Sequence, residues 1–330
     1  MNSFGRLFRL SIFGESHGPG LGILVDGCPA GLPLSEGDFT DDLERRKPAV
    51  PGTTPRREPD RPEILSGLFN GRTTGGPLEI LFRNTDAQSG DYDVFRDMPR
   101  PGHADFTSRL KYGGFNDHRG GGQFSGRVTL GLVAAGVIAK KLIRPVTIEA
   151  RLIEAGGKAD ISEAVERAGR EGDSIGGLVE CRVESAPAGL GEPFFDSLES
   201  ILAHLVFSIP AVKGIEFGDG FAAARMSGKD FNDAIMASDG TTATNHAGGI
   251  NGGISNGNAI VFRAAIRPAS SIAVPQETFN FKSGRKETLT IKGRHDACIA
   301  LRMPVIIEAA AALVMAEVML LEQKIPRILV

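Results

Sequence analysis

The sequence predicts an α+β fold in which sheets pack outside a layer of buried helices. Three observations predict it. Residues 125–143 form a helical segment that is small and apolar almost all round, with Leu130, Leu132, Val133, Val137 and Ile138 spread over its faces; a helix hydrophobic on every side belongs in the centre of a protein. Residues 304–323 make another helix that is apolar on more than one face. Short strand-like runs surround both, at residues 7–13, 21–25, 78–83, 177–183, 259–266 and 288–291.

In chain order, the first two runs flank a polar loop at residues 14–20. Ser35 followed by Asp38 resembles a capping box, which opens a helix carrying Phe39 and Leu43 on one face and ending near Pro48. Residues 49–62, rich in Pro, Thr and Arg, read as a long ordered loop. Residues 90–124 show no readable helix or strand period; a loop of that length inside a compact domain is usually functional or disordered. This one holds His103, His118 and the run Gly120-Gly121-Gly122. Residues 196–207 form an amphipathic helix. No linker or short repeat divides the chain, so residues 1–330 read as a single domain.

Composition excludes several classes. Of 330 residues, 41% are hydrophobic and 23% charged, with a net charge of −3, so no global basic field points to nucleic acid. Any anion must be held by local arginines. Cys28, Cys181 and Cys298 are odd in number and widely spaced, as reduced cytoplasmic thiols are. No metal-type spacing occurs among six histidines and three cysteines. The N-terminal residues lack a signal-peptide core, and the late apolar stretch at 309–321 is too short and too charged to cross a membrane. A soluble, cytoplasmic protein is expected.

Five stretches carry possible chemistry. In Gly14-Glu15-Ser16-His17-Gly18-Pro19-Gly20, His17 is either a proton donor near neutral pH or a turn residue capping a backbone group. In Arg100-Pro101-Gly102-His103-Ala104-Asp105, His103 is either a carboxylate-oriented acid or a solvated loop residue. The stretch 117–127 runs a glycine triplet into a helix start, with Arg119 and Arg127 beside it. Cations there oppose the helix dipole, which asks for an anionic ligand; a flexible hinge with surface arginines is the alternative. Glu44-Arg45-Arg46-Lys47 with Arg56-Arg57 is a solvated helix end or half of an anion clamp. Gly293-Arg294-His295-Asp296 precedes a buried helix as an acid/base site or a capped entry. Residues 245–253 add glycines of the kind that touch a flat cofactor. No nucleophile elbow, Walker loop or dinucleotide fingerprint is present. What remains suits a polyanionic small molecule and proton transfer.

These stretches together resemble the chorismate synthase family. Residues 14–29, ending in Asp26-Gly27-Cys28-Pro29, are similar to its first signature, Gly122-Gln123-Phe124-Ser125-Gly126-Arg127-Val128-Thr129 to its second, and Arg294-His295-Asp296 through Glu308 to its third. Residues 100–107, 171–177, 189–193 and 245–253 match between them, collinear from Phe4 to about Leu320. The resemblance implies a helical core sandwiched between two antiparallel β-sheets, assembled as a homotetramer. It implies a 1,4-anti elimination of phosphate from 5-enolpyruvylshikimate 3-phosphate, with no net redox change but with reduced FMN required and a proton leaving C6 through the flavin. By position, His103 would protonate the departing phosphate, His17 would sit beside the flavin, and Asp296 would help take the C6 proton. Ser16, Arg46, Arg127 and Arg294 would bind substrate. Gln123, Phe124, Ser125, Ala211, Gly252, Arg267, Pro268, Ala269, Ser270, Ser271 and Arg294 would line the flavin.

Some positions depart from the family pattern. Pro51 and Gly52 fall where many relatives carry a clamp arginine. Gln123 replaces a common arginine, Pro210 a common asparagine, Arg267 a lysine and Ala297 a proline. The segment 151–172 is shorter than in most relatives. The rivals are a non-catalytic flavin-binding protein and a flavin oxidoreductase; the full His17, His103 and Asp296 set opposes the first, and the missing dinucleotide motif the second. Some family members reduce their own flavin with NADPH. The short chain, without added terminal segments, makes a separate flavin reductant the expectation here.

Overall fold

The computed structural model describes residues 2–48, 53, 58–86, 92–291 and 295–329. Two antiparallel sheets enclose a helical layer. The first runs in the order Ser3–Phe4, Arg9–Gly14, Gly20–Asp26, Leu78–Arg83, Glu63–Ser66. The second runs Val212–Phe217, Ile260–Ile266, Gly177–Glu184, Thr147–Ala155. Every pairing in both is antiparallel. Alternation decides which face is covered: along Ile260–Ile266, residues Ile260, Phe262, Ala264 and Ile266 are buried and the residues between them are less so.

Between the sheets lie the helices Thr129–Leu142 and Met303–Leu321. The second was expected to be too short and too charged to cross a membrane; it is in fact long and apolar enough by length and composition, and it is buried in the core. The two helices cross closely because Gly136 has no side chain; a Cβ there would sit 2.4 Å from Ala309 Cβ. Gly131 does the same against the first sheet, where a Cβ would meet Ile23 at 2.9 Å. One continuous hydrophobic cluster joins both sheets and both helices, from Phe8 to Ile325. Two buried carboxylates interrupt it. Glu317 accepts backbone N–H bonds from Arg6, Leu7 and Phe8, and Glu308 meets Arg45, Lys140 and the Ala150 N–H.

The structure corrects the sequence reading in places. The central helix does not begin at Ser125: Ser125 Oγ accepts the Arg127 N–H and caps a short 3₁₀ turn, and the α-helix starts at Thr129. The stretch 90–124 is not all loop. It contains the helix Asp105–Tyr112, closed by Gly113 in a left-handed conformation. Phe106 and Leu110 of that helix are exposed, so no apolar face marks it. The strands Thr147–Ala155 and Val212–Phe217 and the helix Ile161–Glu171 were not expected. Arg285–Leu289 forms a hairpin with Gln276–Asn280, which places that strand earlier than residues 288–291. Most of the expected loop at 49–62, with Pro51 and Gly52, lies outside the described residues.

Candidate active site

The two candidate histidines meet on one glycine run. Gly120, Gly121 and Gly122 all have positive φ (57°, 81° and 54°), a conformation that costs glycine little. The shape matters as much as the φ. A Cβ on Gly120 would lie 2.3 Å from the His17 ring, and one on Gly121 would lie 3.5 Å from the ring of His103. The triplet is therefore a saddle for two imidazoles rather than a helix N-terminus. The Ser16 N–H donates to Gly122 O at 3.2 Å, fixing the His17 loop to it. His17 and Ser16 are buried, and Tyr92 meets the His17 ring edge-on at 5.1 Å between centroids.

His103 is held from behind. Its Nδ1 lies 2.6 Å from Asp105 Oδ1 and 3.0 Å from Arg100 Nη2. Nδ1 cannot donate to the carboxylate and accept from the guanidinium at once. Arg100 Nη2 also reaches Asp105 Oδ1 at 2.8 Å, so both nitrogens donate to that oxygen and Nε2 is left toward Gly121. Burial opposes ionisation of Asp105, but hydrogen bonds from Arg100 and His103 outweigh it and hold the carboxyl well below its usual range. Arg100 Nη1 donates onward to Ser271 Oγ at 3.0 Å.

Ser271 ends the segment expected to line the flavin. Ser270 Oγ donates to Gly102 O at 2.9 Å and accepts from Arg267 Nη1 at 2.7 Å, and Ala269 O accepts from Ser174 Oγ. Arg267 Nη1 also donates to Pro268 O, and the Arg267 N–H donates to Ala211 O at 2.9 Å. Ala211 takes a φ of 77°, unusual for a residue with a Cβ. Arg267 is half-buried, burial alone pulls its pKa down, and among the described residues it has no carboxylate partner. Gln123 turns toward Asn2, whose Nδ2 donates to its Oε1 at 3.4 Å, and Phe124 meets Tyr112.

The arginines form a second group. Asp60 accepts from Arg46 Nη2 at 2.9 Å with one oxygen and from Arg127 Nη1 at 2.5 Å with the other. All three side chains are buried. Burial pushes Arg46 down to about 10 against the pull of Asp60, with Arg127 and Arg302 adding repulsion. Arg302 in turn donates to Asp296 Oδ2 at 2.5 Å, so Asp296 belongs to the same neighbourhood. Arg127 Nε and Nη2 donate to Asn84 Oδ1, while Asn84 Nδ2 donates to the carbonyls of Glu15, Ser16 and Gly18. Asn84 thereby joins the arginine group to the His17 loop.

Other expected residues stand apart. Arg45 pairs with Glu308 and Asp42 instead of facing the site, and Arg119 pairs with Asp117. Gly252 turns the hairpin of Ile250–Asn251 and Ile254–Ser255, which packs against Gly191 and Ser197. Arg294 lies outside the described residues. Asp60, Asn84 and Arg302 were missed by the sequence reading; their only signal is a buried polar residue beside an arginine, visible only in three dimensions.

A buried and a half-buried imidazole beside a shielded arginine group make the kind of site an enzyme uses to move protons next to a small polyanion. Comparison with known proteins narrows this. The family described as chorismate synthase matches residues 8–320. A chorismate synthase of Chitinophaga pinensis is 60% identical, covering 99% of each chain; one of Korarchaeum cryptofilum is 45% identical, covering 95% of this chain and 96% of that one. A crystal structure of a chorismate synthase superposes with a TM-score of 0.74 at 27% identity, covering 97% of this chain and 93% of that one. The chain belongs to the chorismate synthase family. Its activity is that of a carbon–oxygen lyase producing chorismate.

Proposed function

We propose that the saddle and the arginine group together eliminate phosphate from 5-enolpyruvylshikimate 3-phosphate, with reduced FMN bound beside the substrate. The observation that carries this reading is the meeting of His17 and His103 on adjacent glycines, with Asn84 tying that loop to Arg127.

The residues fit a flavin. Arg46 Nε is buried without a hydrogen-bond partner among the described residues, and Arg267 has no counter-anion there. Arg267, Pro268, Ala269, Ser270 and Ser271, with the Ala211 backbone and Gln123, Phe124 and Ser125, would hold the cofactor. When bound, reduced FMN supplies electron density to the allylic system as the C–O bond breaks. The chain does the rest. Arg46 and Arg127 orient the anionic groups of the substrate. His103, its Nδ1 hydrogen directed to Asp105, presents Nε2 as the atom that protonates the leaving phosphate. Asp296 assists removal of the C6 proton. His17 contributes a second imidazole beside the flavin, with Ser16 next to it.

The surroundings are proposed as well. Phe194 and Phe195 are 85% and 93% exposed, apolar surface that self-association would cover, in keeping with a homotetramer. Three free, buried cysteines suit a reducing cytoplasm. The test of the flavin reading is anaerobic turnover of the enolpyruvyl substrate, followed by chorismate absorbance. Turnover is expected with chemically reduced FMN and none with oxidised FMN; equal rates with both would overturn it.

A further inference from the structure

Asp60 is the least expected group in the site. Its side chain is 1% exposed, yet it lies between two arginines that an anionic substrate also needs. A carboxylate there lowers the positive potential of the pocket, so on charge alone it should weaken anion binding. Its backbone φ of 51° is a left-handed conformation that aspartate tolerates better than most residues. The segment around it is anchored: Glu58 Oε2 accepts the Thr85 N–H at 2.8 Å and the Thr85 hydroxyl at 2.9 Å, and its Oε1 accepts the Asp86 N–H at 3.2 Å. Asn84, next in that second segment, accepts from Arg127. Two stitched segments therefore grip Arg127 from both sides, and Asp60 alone grips Arg46 with an ion pair among the described residues.

We propose that Asp60 is a positioning residue of the anion site, holding Arg46 and Arg127 side by side so that both reach one anionic group of the substrate. Each guanidinium spends one arm on Asp60. The buried Nε of Arg46 has no hydrogen-bond partner among the described residues, so the guanidinium is not saturated by Asp60. Two buried guanidiniums without Asp60 would repel one another and turn toward whatever water or carbonyl they could find. The net effect of Asp60 on binding is then favourable despite its charge. This inference rests on the reading of Arg46 and Arg127 as anion-binding groups.

The test compares variants in steady-state turnover with reduced FMN, using inorganic phosphate as a competitor. Arg46→Ala examines the underlying reading: a KM left unchanged means that Arg46 does not bind substrate. With that reading intact, Asp60→Asn is expected to raise KM and the phosphate inhibition constant by roughly 10- to 100-fold, with kcat within about threefold. A KM that stays the same or falls shows that Asp60 only neutralises charge and overturns the inference. Asp60→Glu keeps the charge while displacing it by one methylene, and it serves also if Asp60→Asn does not fold. It too is expected to raise KM, by about fivefold or more. A wild-type KM in that variant would show that placement does not matter and would equally overturn the inference.

Discussion

His103 and Asp105 sit two residues apart in sequence, a spacing that left open an oriented acid or a solvated loop residue. The structure supplies the orienting contacts: Arg100 braces Asp105 through two nitrogens and reaches Ser271 with a third. His103→Ala and His17→Ala are each expected to lower turnover by roughly 10²–10⁴-fold, the usual size of a general acid or base contribution. Both residues lie in loops, so thermal melting should stay close to wild type. Asp105→Asn keeps the shape but loses the charged acceptor, and should cost kcat more than KM. Near-full activity in either histidine variant would remove its assigned role. Asp60 and Asn84 were illegible for a physical reason. Their arginine partners lie 14 to 67 residues away, and no motif links a buried carboxylate to arginines on separate elements.

The helix Thr40–Arg46 aims its two last arginines in different directions. Arg46 enters the site, while Arg45 locks the helix to Glu308 on Met303–Leu321 with bonds of 2.6 and 2.8 Å. Lys140 from Thr129–Leu142 reaches Glu308 at 2.8 Å, and the Ala150 N–H brings in the second sheet. One carboxylate thus joins three helices and a strand. Breaking a buried pair by removing one partner costs about 3–5 kcal/mol. Arg45 and Lys140 keep part of their surface in water, so Glu308→Ala is expected at or below the lower end of that range, read by denaturant unfolding. The pH dependence follows. Burial raises the pKa of Glu308, but Arg45 and Lys140 bring the net shift below the ordinary value, as Arg100 and His103 do for Asp105. A carboxyl depressed in the folded state stabilises it above the unfolded pKa of about 4 and loses that contribution as pH falls further. Acid unfolding should therefore steepen below about pH 4, and Glu308→Ala should flatten it. At this scale the apolar helices were legible from composition. The helix Asp105–Tyr112 was not, because its large apolar side chains face outward, and Thr147–Ala155 was obscured by Glu149, Arg151 and Glu154.

At the scale of the molecule, two helices with no broad polar face must be covered on all sides, and the short strand-like runs around them point to sheets as the cover. What the sequence could not show is which clefts that architecture leaves beside the site. One cavity of about 270 Å³ adjoins His103, lined by Arg96, Asp97, Asp105, Asp117, His118 and Phe124 among others. It bears on whether the chain can reduce its own flavin. Hydride transfer would require a nicotinamide to lie within about 3–3.5 Å of the flavin, the near-attack range. NADPH would also need room and cationic partners for its phosphates. The cavity falls just below the ~300–1,000 Å³ that sites for drug-sized ligands occupy. Three carboxylates line it against the arginines Arg96 and Arg109, and Arg109 already donates to Arg96 O. The arginines Arg46, Arg127, Arg100 and Arg302 already pair with Asp60, Asp105 and Asp296, and Arg46 and Arg127 are assigned to the substrate. The expected outcome is that purified enzyme mixed with FMN, substrate and NADPH, without oxygen or a partner reductase, forms no chorismate until dithionite or light reduces the flavin. Steady, enzyme-dependent turnover driven by NADPH alone would show that a nicotinamide does reach the flavin, and that the carboxylate-lined cleft does not keep it out.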